Sequence, residues 1–486
     1  MEARKSLLFA LASVGAVALI HLLPKYAGIA IEPNILTALR WWAIGALCWY
    51  GIKRNSLTTW IILSMAIGLE VGVDFPSFAG GLEIFSKIFI QLIKTVIAPL
   101  LFGTLVVGIA GHSNMKQVGR MGVKAIIYFE IATTIALFVG LAAINFSKAG
   151  EGISHPAATV SEPVKVPGNE LVAVVDSVKG TYKLQFHGKD IAAPVPPVKQ
   201  DWKKIVLHTF PENVAKMVYE GAVLQIVVFS LLFGFGLTRV SEHHRKIMLD
   251  WTESLTEVMF KFTGLIMYMA PFAVGGAIAY TVGTMGFGVV GNLVKLLATL
   301  YAALIVFILL VFIPVMLICK IPIRNFFRAV YEPASLAFAT ASSEAALPKA
   351  LTAMENFGVP RKIVSFVLPT GYSFNLDGST LYLALASVFC AQAAGIQLDW
   401  GTQLLICLTL MLTSKGVAGV PRASLVILAG TVNQFGIPEW PIAVILGVDA
   451  LMDMGRTSVN LMGNCLASAV VARWEGEFDA EKAGQV

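Results

Sequence analysis

Apolar runs of about 20 residues recur along this chain, at about 6–23, 34–52, 58–75, 82–111, 123–147, 213–238, 252–281, 290–319, 363–394 and 438–473. Each is long enough to cross a hydrocarbon core of roughly 30 Å as a helix. That feature removes most folds from consideration, because every backbone polar group in lipid must be satisfied within the chain, by a helix or by a closed barrel. The apolar runs lack the period-two alternation of barrel strands. What remains is an all-α polytopic membrane protein. Composition agrees: 57% of the 486 residues are hydrophobic and 14% are charged, where a soluble domain holds about 25% charged residues.

Two further stretches, around 334–358 and 405–436, are apolar but broken by Ser, Gly and Pro. They read as re-entrant hairpins, since non-helical backbone at membrane depth is tolerated only inside protein or along a cavity. Positive charge clusters at Arg4 and Lys5, at Lys53 and Arg54, at Lys116, Arg120 and Lys124, and at Arg245 and Lys246. With ten spans and two hairpins, the positive-inside rule then places both termini in the cytoplasm. The first span has the look of a signal peptide as well, but no clear small-x-small cleavage site follows it. The basic residues sit in short loops, which suits membrane orientation and not nucleic-acid binding. Five scattered cysteines, Cys48, Cys319, Cys390, Cys407 and Cys465, have no metal-ligand spacing and read as small core residues.

Residues 148–210 are not membrane-like. Pro-rich flanks surround "ELVAVVDSVKGTYKLQFHGKDI", whose alternating residues and Lys-Gly turn predict a short β-hairpin on the outer side.

Polarity concentrates in four places. In "DALMDMGRTSVNLMGNC" (449–465), Asp449, Asp453, Arg456, Asn460 and Asn464 are spaced 4, 3, 4 and 4, with Thr457 beside them. On a helix that spacing makes one stripe. A charge at mid-bilayer costs ~2.5 kcal/mol or more, so the stripe must face a cavity or partners. The plain alternative is a structural Asp–Arg pair joining helices. In "PTGYSFNLDGSTLY" (369–382), Gly371, Ser373, Asn375, Asp377, Gly378 and Ser379 fall mid-span, where they weaken a helix and free carbonyls for cations. A packing kink is the alternative there. "ATASSEAALP" (339–348) offers Ser342, Ser343 and Glu344 at one hairpin tip, and "TSKGVAGVPRAS" (413–424) offers Lys415, Gly416, Gly419, Pro421 and Arg422 at the other. Each hairpin precedes a polar-broken span, and the two hairpins fall on opposite sides. That is the pattern of an inverted repeat with a midplane site.

Together these motifs resemble the dicarboxylate/amino acid:cation symporter family, which includes the glutamate transporters. The likeness covers roughly residues 56–480 apart from the insert, and "TGYSFNLDGSTLY" with a glutamate after the serines is closest to the bacterial proton–glutamate branch. The resemblance implies a glutamate-transporter-like fold with two re-entrant hairpins and inverted repeats, plus an extra N-terminal helix pair (1–55) and the small extracytoplasmic insert. It further implies scaffold helices within 56–320, a transport core at 321–476 and a cytoplasmic tail at 477–486. A homotrimer in the bacterial inner membrane, working as an elevator, is the implied assembly.

Roles follow the resemblance residue by residue. Arg456 holds the substrate side-chain carboxylate, a task for the guanidinium fork. Asp453 holds the α-ammonium, and Thr457, Asn460 and Ser379 complete the backbone contacts. Ser342, Ser343, Gly419 and Val420 close on the α-carboxylate. The C4-dicarboxylate branch lacks a carboxylate matching Asp453, so glutamate or aspartate is favoured over succinate or malate. Sodium-coupled members carry a carboxylate where this chain has Asn464, and hydroxyl ligands where it has Phe129, Ala132 and Thr133. Gly371, Asn375, Asp377 and Asn460 remain for one cation. Proton coupling is therefore preferred over sodium, with Glu344 the first candidate carrier and Glu130 the second. The potassium-linked glutamate of animal members is Leu383 here. Arg422 either faces solvent or pairs with Glu344 or substrate. No cofactor and no certain metal site is expected beyond the coupling ion. The competing classes are an ion channel, disfavoured by two gating hairpins, and an intramembrane enzyme, for which no catalytic motif is present.

Overall fold

The protein is described by a computed structural model, which covers residues 2–26, 31–110, 115–153, 164–165, 171–176, 181–186, 189–190, 207, 210–219, 222–414 and 423–485. The chain opens with α1 (Glu2–Tyr26), α2 (Pro33–Arg54), α3 (Leu57–Asp74), α4 (Pro76–Gly81), α5 (Glu83–Ala110) and α6 (Met115–Ser147). After the insert come α7 (Val214–Tyr219), α8 (Val223–Leu237), α9 (Glu242–Met267), α10 (Ala270–Met285), α11 (Gly288–Phe307) and α12 (Ile313–Ile318). The last third holds α13 (Ile323–Thr340), α14 (Ser343–Asn356), α15 (Arg361–Phe374), α16 (Asp377–Ala393), α17 (Trp400–Thr413), α18 (Ala423–Gln434), α19 (Trp440–Glu475) and α20 (Ala480–Gly484).

Six helical segments among the described residues are long and apolar enough to cross a membrane, or seven if the bent α9–α10 pair counts as one. The other three expected spans fall on helices that are shorter in their apolar part, Lys5–His21 and Leu224–Leu237, or interrupted by charge, as in α19. The expected 252–281 span is not straight. It bends by 48° between α9 and α10, because Pro271 has no N–H to give to residue 267 and its ring crowds that carbonyl. Pro314 has a related effect, with the π-turn Ile308–Phe312 running up to it. The first helix of the expected 334–358 hairpin starts earlier, at Ile323. Arg324 and Arg328 lie on its polar face, so apolar-run reading misses that half.

Among the described residues the insert shows four strands, β1 (Val164–Lys165), β2 (Leu171–Asp176), β3 (Thr181–Phe186) and β4 (Lys189–Asp190), in sheet order β1-β2-β3-β4. The central pair is antiparallel, with Leu171 opposite Phe186 and Asp176 opposite Thr181. This is the hairpin the alternation points to; its Lys-Gly turn lies outside the described residues.

The core centres on α16, which is buried almost end to end, and on the face of α19 packed along α15 and α16. The N-terminal pair is fastened to the rest by charge. Arg40 on α2 donates to Glu70 and Asp74 on α3, both at 2.8 Å, and Trp41 donates to Asp74 at 2.8 Å. Charges within membrane helices persist when paired in this way. The C-terminal segment stitches other elements together: the Asp479 N–H donates to the Gly358 carbonyl at 3.0 Å, and Asn325 donates to the Ala483 carbonyl at 2.9 Å. Glu475 accepts from Lys124 at 2.6 Å and also pairs with Arg120. Outside the spans, Asp399 caps α17, and the backbone N–H and hydroxyl of Thr402 hold its carboxyl below the ordinary range.

Candidate functional site

The polar stripe of α19 is one continuous helix face, and it is buried: Asp449, Asp453, Arg456, Thr457, Asn460 and Asn464 are all shielded from solvent. The residues opposite them come from the break between α15 and α16, where Asn375 and Leu376 leave helical geometry. The sequence "GYSFNLDG" explains the break. Glycine is costly in a helix, and Ser, Asn and Asp offer the backbone competing local hydrogen bonds.

Arg456 is the centre of the site, with 1% of its side chain exposed. Its Nε donates to Asp453 Oδ1 at 2.8 Å and its Nη1 donates to Asp449 Oδ1 at 3.0 Å. The guanidinium carbon lies 4.3 Å from the centre of the Tyr382 ring, a cation–π contact. Thr457 donates to Asp453 Oδ1 at 3.3 Å. Nη2 has no protein acceptor among the described residues. Asp449, to which the sequence assigns no role, is thus a direct partner of Arg456. The spacing of seven residues brings both to one face two turns apart, so the signal lies in the stripe itself.

Asn460 works across elements. Its Oδ1 accepts from the backbone N–H groups of Gly378 at 2.8 Å and Ser379 at 3.2 Å, while its Nδ2 donates to Ser379 Oγ at 2.9 Å. Those N–H groups belong to the first turn of α16, where a helix has no internal acceptors. Leu376 at the N-cap brings no capping side chain, so Asn460 caps α16 from the neighbouring helix. One turn further, Asn375 Nδ2 donates to Asn464 Oδ1 at 3.0 Å and to Asp377 Oδ2 at 3.2 Å. Asn375 Oδ1 and Thr380 Oγ1 are buried oxygens without a hydrogen-bonding partner among the described residues. Buried polar atoms are almost always satisfied. The Asp377 carboxylate lies against the Asn375 side chain, and oxygens of this kind are the donors a hard cation prefers.

The closeness of α19 to Asp377 depends on Gly463. A methyl group there would lie 2.3 Å from Asp377 Oδ2, well inside contact distance. Gly463→Ala is therefore expected to displace the Asp377 carboxylate and to destabilise the protein by about 1–3 kcal/mol, the usual scale of overpacking. Thermal unfolding of the purified variant beside wild type measures it.

The remaining expected residues are distributed as follows. Ser342 and Ser343 sit at the turn between α13 and α14, with Ser342 Oγ accepting from the Ala345 N–H at 3.3 Å. The Tyr372 hydroxyl donates to the Ser343 carbonyl at 2.9 Å, tying this tip to α15. Glu344 lies in the first turn of α14 at an accessible position. The inward face of α14 is Ala346, Ala350 and Met354, and Glu344 points about half a turn away from it. Glu130 is half-buried on α6. Phe129 and Ala132 are buried, and the Thr133 hydroxyl donates to the Phe129 carbonyl at 2.7 Å. Gly371 lies in the last turn of α15, its carbonyl accepting from the Asn375 N–H at 2.7 Å. Lys415, Gly416, Gly419, Val420, Pro421 and Arg422 of the second tip lie outside the described residues, as does the side chain of Ser373.

Comparison with known proteins places this geometry in context. Residues 57–474 match the Sodium:dicarboxylate symporter family, so the matched region takes in α3 through α19 and leaves α1 and α2 outside it. The chain is 40% identical over 444 residues to a proton/glutamate-aspartate symporter of Escherichia coli (strain K12), covering 88% of this chain and 95% of that protein. It is 38% identical over 437 residues to a proton/sodium-glutamate symport protein of Geobacillus stearothermophilus, covering 89% and 98%. A C4-dicarboxylate transport protein of Bacillus subtilis (strain 168) is 37% identical over 432 residues, covering 88% and 96%.

Proposed function

The chain belongs to the sodium:dicarboxylate symporter family, and from that premise we propose that it imports acidic amino acids, L-glutamate and L-aspartate, together with protons. The observation that carries this reading is the buried Arg456 with Asp453 at 2.8 Å and Asp449 at 3.0 Å. A guanidinium beside a carboxylate, with one nitrogen still unclaimed, matches a molecule that bears a carboxylate at one end and an ammonium at the other. Arg456 takes the side-chain carboxylate, Asp453 the ammonium, and Thr457, Asn460 and Ser379 the remaining polar atoms. Ser342 and Ser343 close from one side, and Gly419 and Val420 from the other.

Charge supports coupling. Arg456 is one cation among three buried carboxylates, Asp449, Asp453 and Asp377. An acidic amino acid brings one further net negative charge into a region where charge is costly. A proton or cation entering with it removes that excess. Asn464 in place of a carboxylate, and Phe129 and Ala132 in place of hydroxyl ligands, favour the proton. Glu344 and Glu130 are the proposed carriers. Gly371, Asn375, Asp377 and Asn464 form the proposed coupling site.

The same reading extends to architecture. The pairs α13–α14 and α17–α18 act as re-entrant gates of two inverted repeats, and the transport core slides against a trimeric scaffold as an elevator. The N-terminal pair α1–α2 is an added element, both termini are cytoplasmic, and the location is a bacterial inner membrane. A second reading, C4-dicarboxylate uptake, is favoured by the likeness to the Bacillus subtilis protein. It leaves Asp453 without an ammonium to hold.

Ligand-induced stabilisation of the purified protein separates the two. L-glutamate and L-aspartate are expected to raise the melting temperature at concentrations at least about tenfold below those at which succinate does, a gap worth ~1.4 kcal/mol. Equal or better stabilisation by succinate would overturn the assignment of Asp453.

A further inference from the structure

Tyr372 links two parts of the proposed site that sequence leaves separate. It lies in the last turn of α15, is 8% exposed, and its hydroxyl donates to the Ser343 carbonyl at 2.9 Å. Ser343 opens α14 just after the tip. The tip is a tight reversal: Ala341 adopts φ +50°, a left-handed conformation that a residue with a Cβ rarely takes. Thr340 Oγ1 donates to the Leu336 carbonyl at 2.7 Å and reaches the Ser342 carbonyl at 3.3 Å. These are contacts within the hairpin. Tyr372 brings a contact to the tip from a different element.

On its other side Tyr372 is joined to the coupling cluster. Its neighbour Gly371 is pressed against Asn464 so closely that a methyl group would lie 2.3 Å from Asn464 Oδ1. The Gly371 carbonyl accepts from the Asn375 N–H at 2.7 Å, and the Asn375 side chain donates to both Asn464 and Asp377. Any rearrangement of Asn375, Asp377 and Asn464 on taking up a proton or cation must therefore move the backbone at 371–375. The tyrosine ring carries that movement to the Ser343 carbonyl. Coupling between sites requires an element that both sites bias, and this last turn of α15 touches both.

We propose that Tyr372 is a positioning residue that reports the state of the Asn375–Asp377–Asn464 cluster to the Ser342–Ser343 tip, so that the tip closes on substrate when the cluster is loaded. This rests on the reading of the region as a symporter site. In this role Tyr372 acts through the Ser343 carbonyl.

Tyr372→Phe keeps the ring and removes the hydrogen bond alone. Apparent KM and maximal rate for labelled L-glutamate are measured in vesicles, for wild type and variant, at two external pH values and, separately, with and without sodium chloride. KM in the variant is expected to rise about three- to tenfold, the scale of one net hydrogen bond, with the maximal rate retained. The dependence of KM on pH or sodium seen in wild type is expected to flatten. A KM that is unchanged, or that rises with its ion dependence intact, would overturn the proposal, since a purely local packing role gives that pattern. Thermal unfolding of the purified variant, with and without added sodium chloride and across pH, adds a transport-independent check. The stabilisation by ion alone is expected to match wild type, and its loss would show a damaged cluster and contradict the role given to Tyr372. Wild-type vesicles that take up no acidic substrate under any gradient would instead sink the symporter reading itself.

Discussion

Arg456→Ala is expected to reduce glutamate and aspartate uptake by about two to three orders of magnitude. The guanidinium sits 2.8 Å from Asp453 and 3.0 Å from Asp449, with almost no solvent contact. Removing one partner of a buried charge pair costs ~3–5 kcal/mol, because the other charge is left uncompensated. At ~1.4 kcal/mol per decade this is roughly 10²- to 10³-fold. In the variant two carboxylates also remain where a third must bind, and like charges in one site oppose each other. Arg456→Lys keeps the charge but loses the planar fork and the stacking on Tyr382, and an intermediate loss is expected. Uptake in vesicles, normalised to folded protein, measures both. Near wild-type uptake by the alanine variant would exclude Arg456 from substrate recognition.

Replacing Asp453 with asparagine has a different expected signature: a change of preference. Asparagine keeps the shape and a hydrogen bond to Arg456 is still possible through its carbonyl oxygen, but the negative charge is gone. An ammonium group entering the site then has no carboxylate, whereas succinate has no ammonium and does not meet this penalty. Amino-acid uptake is expected to fall about 10²-fold on the same scale of buried pair energies. Succinate uptake is expected to fall far less, or to rise. The ratio of glutamate to succinate uptake is the quantity to follow, because it cancels differences in expression and folding. A ratio that stays constant would remove Asp453 from ammonium binding and strengthen the C4-dicarboxylate reading.

The parts of the site that are legible in sequence are those set by local periodicity. Asp449, Asp453, Arg456, Asn460 and Asn464 follow helical spacing, so their common face follows from the spacing alone. The break at Asn375–Leu376 follows from "GYSFNLDG", whose residues disfavour a helix. What is not legible depends on partners distant in the chain. The hydrogen bonds by which Asn460 caps the first turn of α16 reach partners more than 80 residues away in the chain, so spacing along α19 does not announce them. Glu344 reads in sequence as an intramembrane acid, and which way it points is decided by the packing of Ala346, Ala350 and Met354 on the inward face of α14. The early start of α13 is hidden by Arg324 and Arg328, since an amphipathic helix does not register as an apolar run. The tie between Tyr372 and Ser343 spans 29 residues and has no local signature at all. The bend at Met267–Ala270 does have one, in Pro271, but the length of the apolar run around it masks the break.

In the proposed mechanism, substrate entry adds negative charge to a buried site and a proton removes it. Purified protein reconstituted in vesicles, loaded and diluted to impose a proton gradient or a sodium gradient separately, tests this with labelled L-glutamate. An inward proton gradient without sodium is expected to drive accumulation above the external concentration, and collapsing it with a protonophore is expected to abolish that accumulation. Accumulation that requires sodium and is indifferent to the proton gradient would contradict proton coupling and return Asn375, Asp377 and Asn460 to the role of sodium ligands.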